Sequence, residues 1–349
     1  MRRLPIYFLI DVSESMVGDQ IDRVQEGIGN IIRELKKDPI ALETVYVSIL
    51  IFAGEAKTIV PLQDIISFYP PKIPIGSGTA LHKGLGHLMH ELRVNQIKTT
   101  REQKGDWKPI VFLFTDGTPT DNPSGSIAEW KANWSESANL IAVSLGEGAD
   151  LNQLSELTEN LIKLENTNQD GFASFFKWVT ASIKSSSESI EKSDGGLELA
   201  DIPTDDMTAI DLKKGKAKYN QVDDNFVVLS ALCQNTKKNY LMKYRRVVSD
   251  SGFEGIELQT KSYKLVGAYR VDDVYHELSD ASSTQFKVNT EELIGTPTCP
   301  SCGNQIAFAV CQCGQIHCLG DEKSSTCPKC GNQGEYGASG GFDVNRTQG

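Results

Sequence analysis

Three short stretches of this chain carry oxygen donors of the kind a hard metal ion uses. Asp11-Val12-Ser13-Glu14-Ser15 follows directly on an apolar run, Ile6-Tyr7-Phe8-Leu9-Ile10. Ser77-Gly78-Thr79 precedes a stretch of helical character, and Thr115-Asp116-Gly117 ends a second apolar run that begins at Pro109. Together they offer the hydroxyls of Ser13, Ser15 and Thr79 and the carboxylates of Asp11 and Asp116. That set suits Mg²⁺ or Mn²⁺, with water completing an octahedron. Helix capping by Asp11 and Ser13 is the plainer role for such residues. Three elements in one order, each at a strand end or helix start, favour the ion. An aspartyl-phosphate hydrolase would need a second carboxylate two residues after Asp11, and Ser13 stands there.

The second chemical feature is sulfur. Of the eight cysteines, Cys233 stands alone and the other seven lie between Cys299 and Cys330. Cys299-Pro-Ser-Cys302-Gly and Cys327-Pro-Lys-Cys330-Gly are two copies of one knuckle, a spacing that holds Zn²⁺ tetrahedrally. Between them, Cys311-Gln-Cys313-Gly-Gln-Ile-His317-Cys318 supplies three more thiols and an imidazole, enough for a second zinc. The favoured scheme joins the two knuckles around one ion; a sequential or cross-braced division is the other. His317 and Cys318 are adjacent, so in a strand they face opposite sides and one of them drops out as a ligand. Cys233 is expected to pack in a core. Such sites usually fold a small module, and oxidation or remetallation of the thiolates would make the module a sensor.

His82, His87 and His90 lack the His-Glu-x-x-His pattern of a zinc hydrolase helix and read as a partly exposed helical face. There is no Ser-His-Asp set and no phosphate-binding loop of the Walker type.

The elements that must position these groups are legible as periodicities. Ile6–Ile10 and Pro109–Phe114 read as buried parallel strands. Ile21, Val24, Ile28, Ile31, Ile32 and Leu35 describe one face of a helix that ends near Asp38-Pro39. Thr44–Phe52 reads as a strand turning through Ala53-Gly54-Glu55 into Thr58-Ile59-Val60. Helices are expected over Ala80–Leu92 and Ala128–Trp134, a strand over Leu140–Leu145, and a last helix with Phe172, Phe175, Phe176, Val179 and Ile183 on one side. Alternation of this kind predicts an α/β domain over residues 1–185, doubly wound on a mainly parallel sheet. An acidic Ser-rich linker is expected over 186–206, a small β-rich module over 207–290, a zinc-ribbon-like cysteine module over 291–333 and a disordered tail over 334–349.

Composition narrows the function. Lys plus Arg total 35 against 46 Asp plus Glu, a formal charge of −11, which repels nucleic acid and anionic membranes. Only Lys323 and Lys329 are basic between Cys299 and Cys330, facing Asp321 and Glu322, so the cysteine module has no basic patch. The apolar stretch after Met1-Arg2-Arg3 is cut off by Asp11, so no secretory leader is expected. No apolar run approaches the ~18 residues of a membrane span. Clustered cysteines without a leader point to a reducing, cytoplasmic setting.

The D-x-S-x-S pattern, the distant Thr79 and the Thr-Asp-Gly at Asp116 resemble the metal-ion-dependent adhesion site of von Willebrand factor A domains. That resemblance implies that Ser13, Ser15 and Thr79 contact Mg²⁺ and that Asp11 and Asp116 hold coordinated water or switch to direct contact. Ligation dominated by neutral hydroxyls leaves the ion's charge uncompensated, so a partner's carboxylate is attracted to its open position. Asp38-Pro-Ile-Ala-Leu-Glu-Thr-Val45, Gly105-Asp-Trp-Lys-Pro-Ile-Val-Phe-Leu-Phe-Thr-Asp-Gly-Thr-Pro-Thr-Asp121 and the C-terminal Cys-Pro-x-Cys-Gly and Phe-Ala-Val-Cys-x-Cys-Gly-x-x-His-Cys segments resemble, more narrowly, the TerY-type proteins of bacterial tellurite-resistance and stress systems. One departure is Ser77, where adjacent glycines are common. The resemblance implies a non-enzymatic, metal-dependent interaction adaptor working beside a type 2C protein phosphatase and a Ser/Thr kinase. A metal-dependent phosphohydrolase and a metal or redox sensor are the alternatives.

Overall fold

A computed structural model describes residues 2–145, 149, 151–164, 169–192, 200, 207–209, 225–250, 257–279, 286–320, 324–337 and 340–347. Strand β1 (Leu4–Asp11) is buried at all eight positions, so both of its faces need cover. The chain supplies that cover by alternating elements: α1 (Asp19–Leu35), α2 (Pro39–Thr44), β2 (Val45–Phe52), β3 (Ala56–Asp64), α3 (Leu81–Asn95), β4 (Ile110–Thr115), α4 (Ser124–Asn133), β5 (Asn139–Leu145), α5 (Leu151–Leu157), β6 (Asn160–Leu164), α6 (Gln169–Lys192) and β7 (Met207–Ala209). The sheet order is β3-β2-β1-β4-β5-β6-β7. Its five central strands run parallel and both edge strands are antiparallel. This is the doubly wound α/β arrangement expected from the alternation.

The two faces carry different packing. Tyr7 and Leu9 join Leu85, Leu88 and Trp130 of α3 and α4 in one core. Phe8 points the other way and stacks on Phe112 at 5.7 Å. Phe114 continues that aromatic layer to Phe175 and Phe176 of α6, at 5.8 and 6.2 Å. The expected α1 face is buried at all six positions. Pro39 does not only end α1: Asp38 accepts from Ile40 N and Ala41 N, each at 3.0 Å, and so caps α2. The Gly105-Asp-Trp motif is structural, since Arg3 forms a two-pronged pair with Asp106 at 2.8 and 2.7 Å. Strand β6 and helix α5 have no counterpart among the elements read from sequence. Helix α6 continues through the first residues assigned to the linker, whose 193–199 and 201–206 lie outside the described residues.

The chain divides into two units. The first comprises Met1–Val12, Asp19–Ile73 and Thr79–Asn220; the second comprises Gln221–Gly349 together with two short segments, Ser13–Gly18 and Pro74–Gly78. In the second, β8 (Phe226–Leu232), β9 (Asn239–Asp250) and β10 (Glu257–Arg270) are followed by α7 (Tyr275–Leu278), β11 (Phe286–Asn289), β12 (Leu293–Ile294), β13 (Ile306–Val310), β14 (Ile316–Leu319), β15 (Ser324–Thr326), β16 (Gln333–Glu335) and β17 (Asp343–Arg346). The main sheet has the order β12-β10-β9-β8-β14-β13. The β-rich segment and the cysteine segment therefore share one sheet, joined where His317 of β14 meets Leu232 of β8. They also share one core, containing Val227, Leu229, Tyr240, Met242, Cys299, Ala307 and Cys318. The segment expected to be a disordered tail supplies β17, which pairs antiparallel with β11 and buries Val344.

Candidate metal centres

Parallel strands end at one edge of a doubly wound sheet, and ligands meet such sheets in the crevice beyond those ends. Asp11 is the last residue of β1, level with Phe52 of β2. Asp116 follows Thr115, the last residue of β4, and Thr115 Oγ1 donates to Asp11 Oδ2 at 2.6 Å. Thr79 is brought to the same edge because Ala80 N donates to Ala53 O at 2.7 Å, beyond β2. Its own backbone is clamped to the loop after Asp116: Thr79 N donates to Thr120 Oγ1 at 2.9 Å, and Thr120 N donates to Thr79 O at 3.0 Å. Asp121 Oδ2 then accepts from His82 N, at 3.0 Å, at the start of α3. Ser13 and Ser15 lie two and four residues past β1, Ser13 just before and Ser15 within a single turn of 3-10 helix (Glu14–Met16), with their Oγ atoms 2.9 Å apart. All five expected donors are buried, the most exposed being Thr79 at 2%.

The donor set fits a hard cation. It contains oxygen only, and it includes two carboxylates withdrawn from water, an arrangement that is costly without a compensating positive charge. Thr115 and Thr120 were not singled out in the sequence, although their hydroxyls orient Asp11 and Thr79. Both sit within the Thr-Asp-Gly-Thr-Pro-Thr stretch, and that density of hydroxyls around Asp116 was the available signal.

The sulfur sites differ from the favoured scheme. Cys233, Cys299, Cys302 and Cys318 form one group; Cys311, Cys313, Cys327 and Cys330 form another; within each group the four sulfurs lie within 4.8 Å of one another. The two knuckles therefore do not share an ion: each takes partners from elsewhere. Cys302 and Cys318 sulfurs are 3.7 Å apart, Cys311 and Cys330 3.7 Å, and Cys313 and Cys327 3.8 Å. A tetrahedron with Zn–S bonds of about 2.3 Å has sulfur–sulfur edges of about 3.8 Å. The geometry thus fits zinc in both groups.

Local backbone explains how each knuckle is made. Cys299 N donates to Asn304 O and Gly303 N to Cys299 O, with Gly303 at φ +79°. Cys327, Gly331 and Asn332 repeat the pattern, with Gly331 at φ +75°. Cys233 repeats it again: Cys233 N donates to Lys238 O and Lys237 N to Cys233 O, with Lys237 at φ +58°. Cys233 is thus a ligand candidate in a third knuckle turn, not the ordinary core residue expected from its isolation. Thr236 occupies the place of that turn's second cysteine, its N–H donating to Cys233 Sγ at 3.4 Å. Cys318, on β14, supplies the fourth thiol. In the second group, the Cys313 N–H directed at Cys311 lowers that thiol to about 7, which favours the thiolate a metal needs.

His317 belongs to neither group. A backbone carbonyl can only accept, so His317 Nδ1 donates to Cys318 O at 3.0 Å. Nε2 is then the acceptor for the Tyr336 hydroxyl at 2.9 Å, and no lone pair remains for a metal. Burial lowers the His317 pKa and raises that of Tyr336 to about 12, keeping the ring neutral and the phenol protonated. Of the other histidines, His87 Nε2 lies 2.8 Å from Thr58 Oγ1, while His82 and His90 are exposed. Among the described residues, no metal-compatible group includes a histidine. No helix among them is long and apolar enough to cross a membrane.

Family models match both regions that carry the oxygen donors and the cysteines. The family model of the von Willebrand factor type A domain matches residues 6–177, which include all five oxygen donors. That of the TerY-C metal binding domain matches residues 223–349, which include all eight cysteines. A search of curated proteins finds no match. Similar solved structures include proximal thread matrix protein 1 from the mussel byssus, at 20% identity over 52% of this chain and 48% of that one, with a TM-score of 0.39. A von Willebrand factor type A protein from Catenulispora acidiphila matches at 14% identity over 52% and 43%, with a TM-score of 0.40. The ArnB paralog VWA2 from Sulfolobus acidocaldarius matches at 12% identity over 80% and 69%, with a TM-score of 0.39. The chain spans less than half the length of the first two of these proteins.

Proposed function

Because this chain belongs to the von Willebrand factor A proteins that carry a TerY-C metal-binding domain, we propose that it is a non-enzymatic adaptor that captures a protein partner through a bound divalent cation. The observation that carries this reading is the gathering of hard oxygen donors at the strand ends of the first sheet: Asp11 closes β1, Asp116 follows β4 with Thr115 Oγ1 donating to Asp11, and Thr79 is anchored beyond β2. Mg²⁺ or Mn²⁺ held there would be ligated largely by neutral hydroxyls. A partner's carboxylate entering the remaining position would supply the charge the site lacks. The two four-cysteine groups would each hold Zn²⁺ in closed coordination, a structural role with no open position for chemistry.

The partners suggested by the TerY-type resemblance are a type 2C protein phosphatase and a Ser/Thr kinase, in a cytoplasmic stress or tellurite-resistance system. The test is a pull-down of each purified candidate in Mg²⁺. Capture should disappear on adding EDTA and in a chain carrying Asp11→Ala with Ser13→Ala. Capture that survives both would sink the reading. Phosphoester turnover by the purified chain, lost in Asp11→Ala, would instead favour the hydrolase.

A further inference from the structure

The second unit contains, besides the β-sheet, the two short segments that flank the oxygen donors. Ser13–Gly18 carries the hydroxyls of Ser13 and Ser15, and Pro74–Gly78 leads into Thr79. Within that unit both segments are held by buried polar side chains, and neither the adhesion-site pattern nor the cysteine groups account for them.

Lys243 lies on β9, on the face opposite the core residues Tyr240, Met242 and Tyr244, and is only 4% exposed. Burial of an ammonium is costly unless it is fully engaged. Here Nζ donates to the carbonyl of Ser15 and, at 3.4 Å, to that of Val17, and it lies 4.6 Å from the centre of the Phe226 ring. Both carbonyls belong to the turn that bears the hydroxyl donors. Glu14, wholly buried between the two serines, is held in turn by Tyr275: its hydroxyl donates to Glu14 Oε1 at 2.6 Å. Gly78 N donates to Glu14 Oε2 at 3.2 Å, so one carboxylate ties together the two segments. Ser77 N donates to Ser279 Oγ at 3.0 Å, and Ser279 Oγ donates to Tyr275 O at 2.6 Å, closing the arrangement around α7. Burial and the Glu14 charge raise the Tyr275 pKa well above its ordinary value, so the phenol stays a donor. Gly18 ends the turn at φ +92°, where a Cβ would lie 2.6 Å from the Tyr269 ring.

Neutral hydroxyls are weak ligands. Their affinity for an ion depends on being held in place before it arrives, the task of the groups behind the ligands. We propose that Lys243 and Tyr275 are positioning residues for the divalent-cation site: Lys243 through the Ser15 and Val17 carbonyls, and Tyr275 through Glu14, they fix the turn that presents Ser13 and Ser15. This rests on the cation reading above. It adds that residues outside the adhesion-site pattern, in the same unit as the serine turn, contribute to the affinity of that site. Simple charge repulsion makes the opposite prediction for Lys243, because removing a nearby ammonium would then tighten cation binding.

The experiment measures Mn²⁺ affinity of the full-length, zinc-loaded chain by titration calorimetry, with zinc content and thermal midpoint recorded for each variant. Asp116→Ala should abolish binding. Lys243→Met and Tyr275→Phe should weaken it about tenfold or more, in the range typical for lost supporting contacts, at unchanged zinc content. If Asp116→Ala loses binding while Lys243→Met and Tyr275→Phe bind as tightly as the parent, the positioning role is overturned and the cation site stands. A purely structural role gives that same pattern, with a lowered thermal midpoint and unchanged affinity. Tighter binding by Lys243→Met also overturns it. If the parent's Mn²⁺ binding is indifferent to Asp116→Ala, the cation reading itself fails and the proposal with it. Should Lys243→Met not fold, Tyr275→Phe, which removes one hydroxyl, decides alone.

Discussion

Four thiols held within 4.8 Å of one another are unstable neighbours without a metal, because they oxidise readily and their thiolates repel. That constraint gives Cys233 a role its isolation in the sequence conceals. Its turn has the same hydrogen bonds as the two Cys-x-x-Cys knuckles, but Lys237 takes the left-handed position usually given to glycine, and Thr236 replaces the second thiol. The visible signature of a knuckle is therefore absent while its geometry is present. A signal did exist in the arithmetic, since eight cysteines make two complete sets of four only if Cys233 is counted. Cys233→Ser should lower bound zinc, measured by elemental analysis of the purified chain, by one equivalent, leaving the Cys311 group loaded. His317→Gln should change the zinc content little, because both ring nitrogens are already engaged by Cys318 O and Tyr336.

Elements with a strong period were legible, and their core contacts follow from it. The α1 positions Ile21 to Leu35 form a buried stripe because steps of three and four place them on one side of a helix. The close approach of α1 to α6 was not legible. It depends on Gly27, where a Cβ would lie 2.0 Å from the Phe176 ring. Gly27→Ala gains intrinsic helix propensity of about 1 kcal/mol, but forcing the ring aside costs about 1–3 kcal/mol. The expected outcome is net destabilisation, read as a lower urea midpoint with little change in slope. Strand β17 escaped for a different reason. It is four residues long, with one buried apolar side chain, Val344, and exists only through pairing with β11, whose Val288 lies directly opposite. Short strands formed by distant partners leave almost no periodic trace.

At the scale of the molecule, the first unit buries an extensive aliphatic and aromatic core, whereas the second includes Cys233, Cys299 and Cys318 among its core side chains. With zinc in the two cysteine groups, as proposed, its removal would take away part of the second unit's interior cohesion and little of the first's. Scanning calorimetry of the zinc-loaded chain should resolve two transitions. A strong zinc chelator should lower or abolish the one belonging to the sheet β12-β10-β9-β8-β14-β13 and leave the seven-stranded sheet's transition in place. If both transitions move together by the same amount, zinc stabilises the molecule by some route other than this core.

The amino-acid sequence by itself determined the kinds of donor and their local order. It placed hydroxyls and carboxylates at Asp11, Ser13, Ser15, Thr79 and Asp116, thiols in pairs after Cys299, and strands and helices in alternation before them, because periodicity and turn chemistry act over a few residues. Only the tertiary structure decided which thiols face one another and which side chains hold the serine turn. Cys233 meets Cys318 because β8 lies beside β14, an adjacency marked by Gln234 N donating to Cys318 Sγ at 3.2 Å. Lys243 meets Ser15 across 228 residues of chain. Such contacts arise from strand pairing and shared burial between distant segments, which no local pattern specifies.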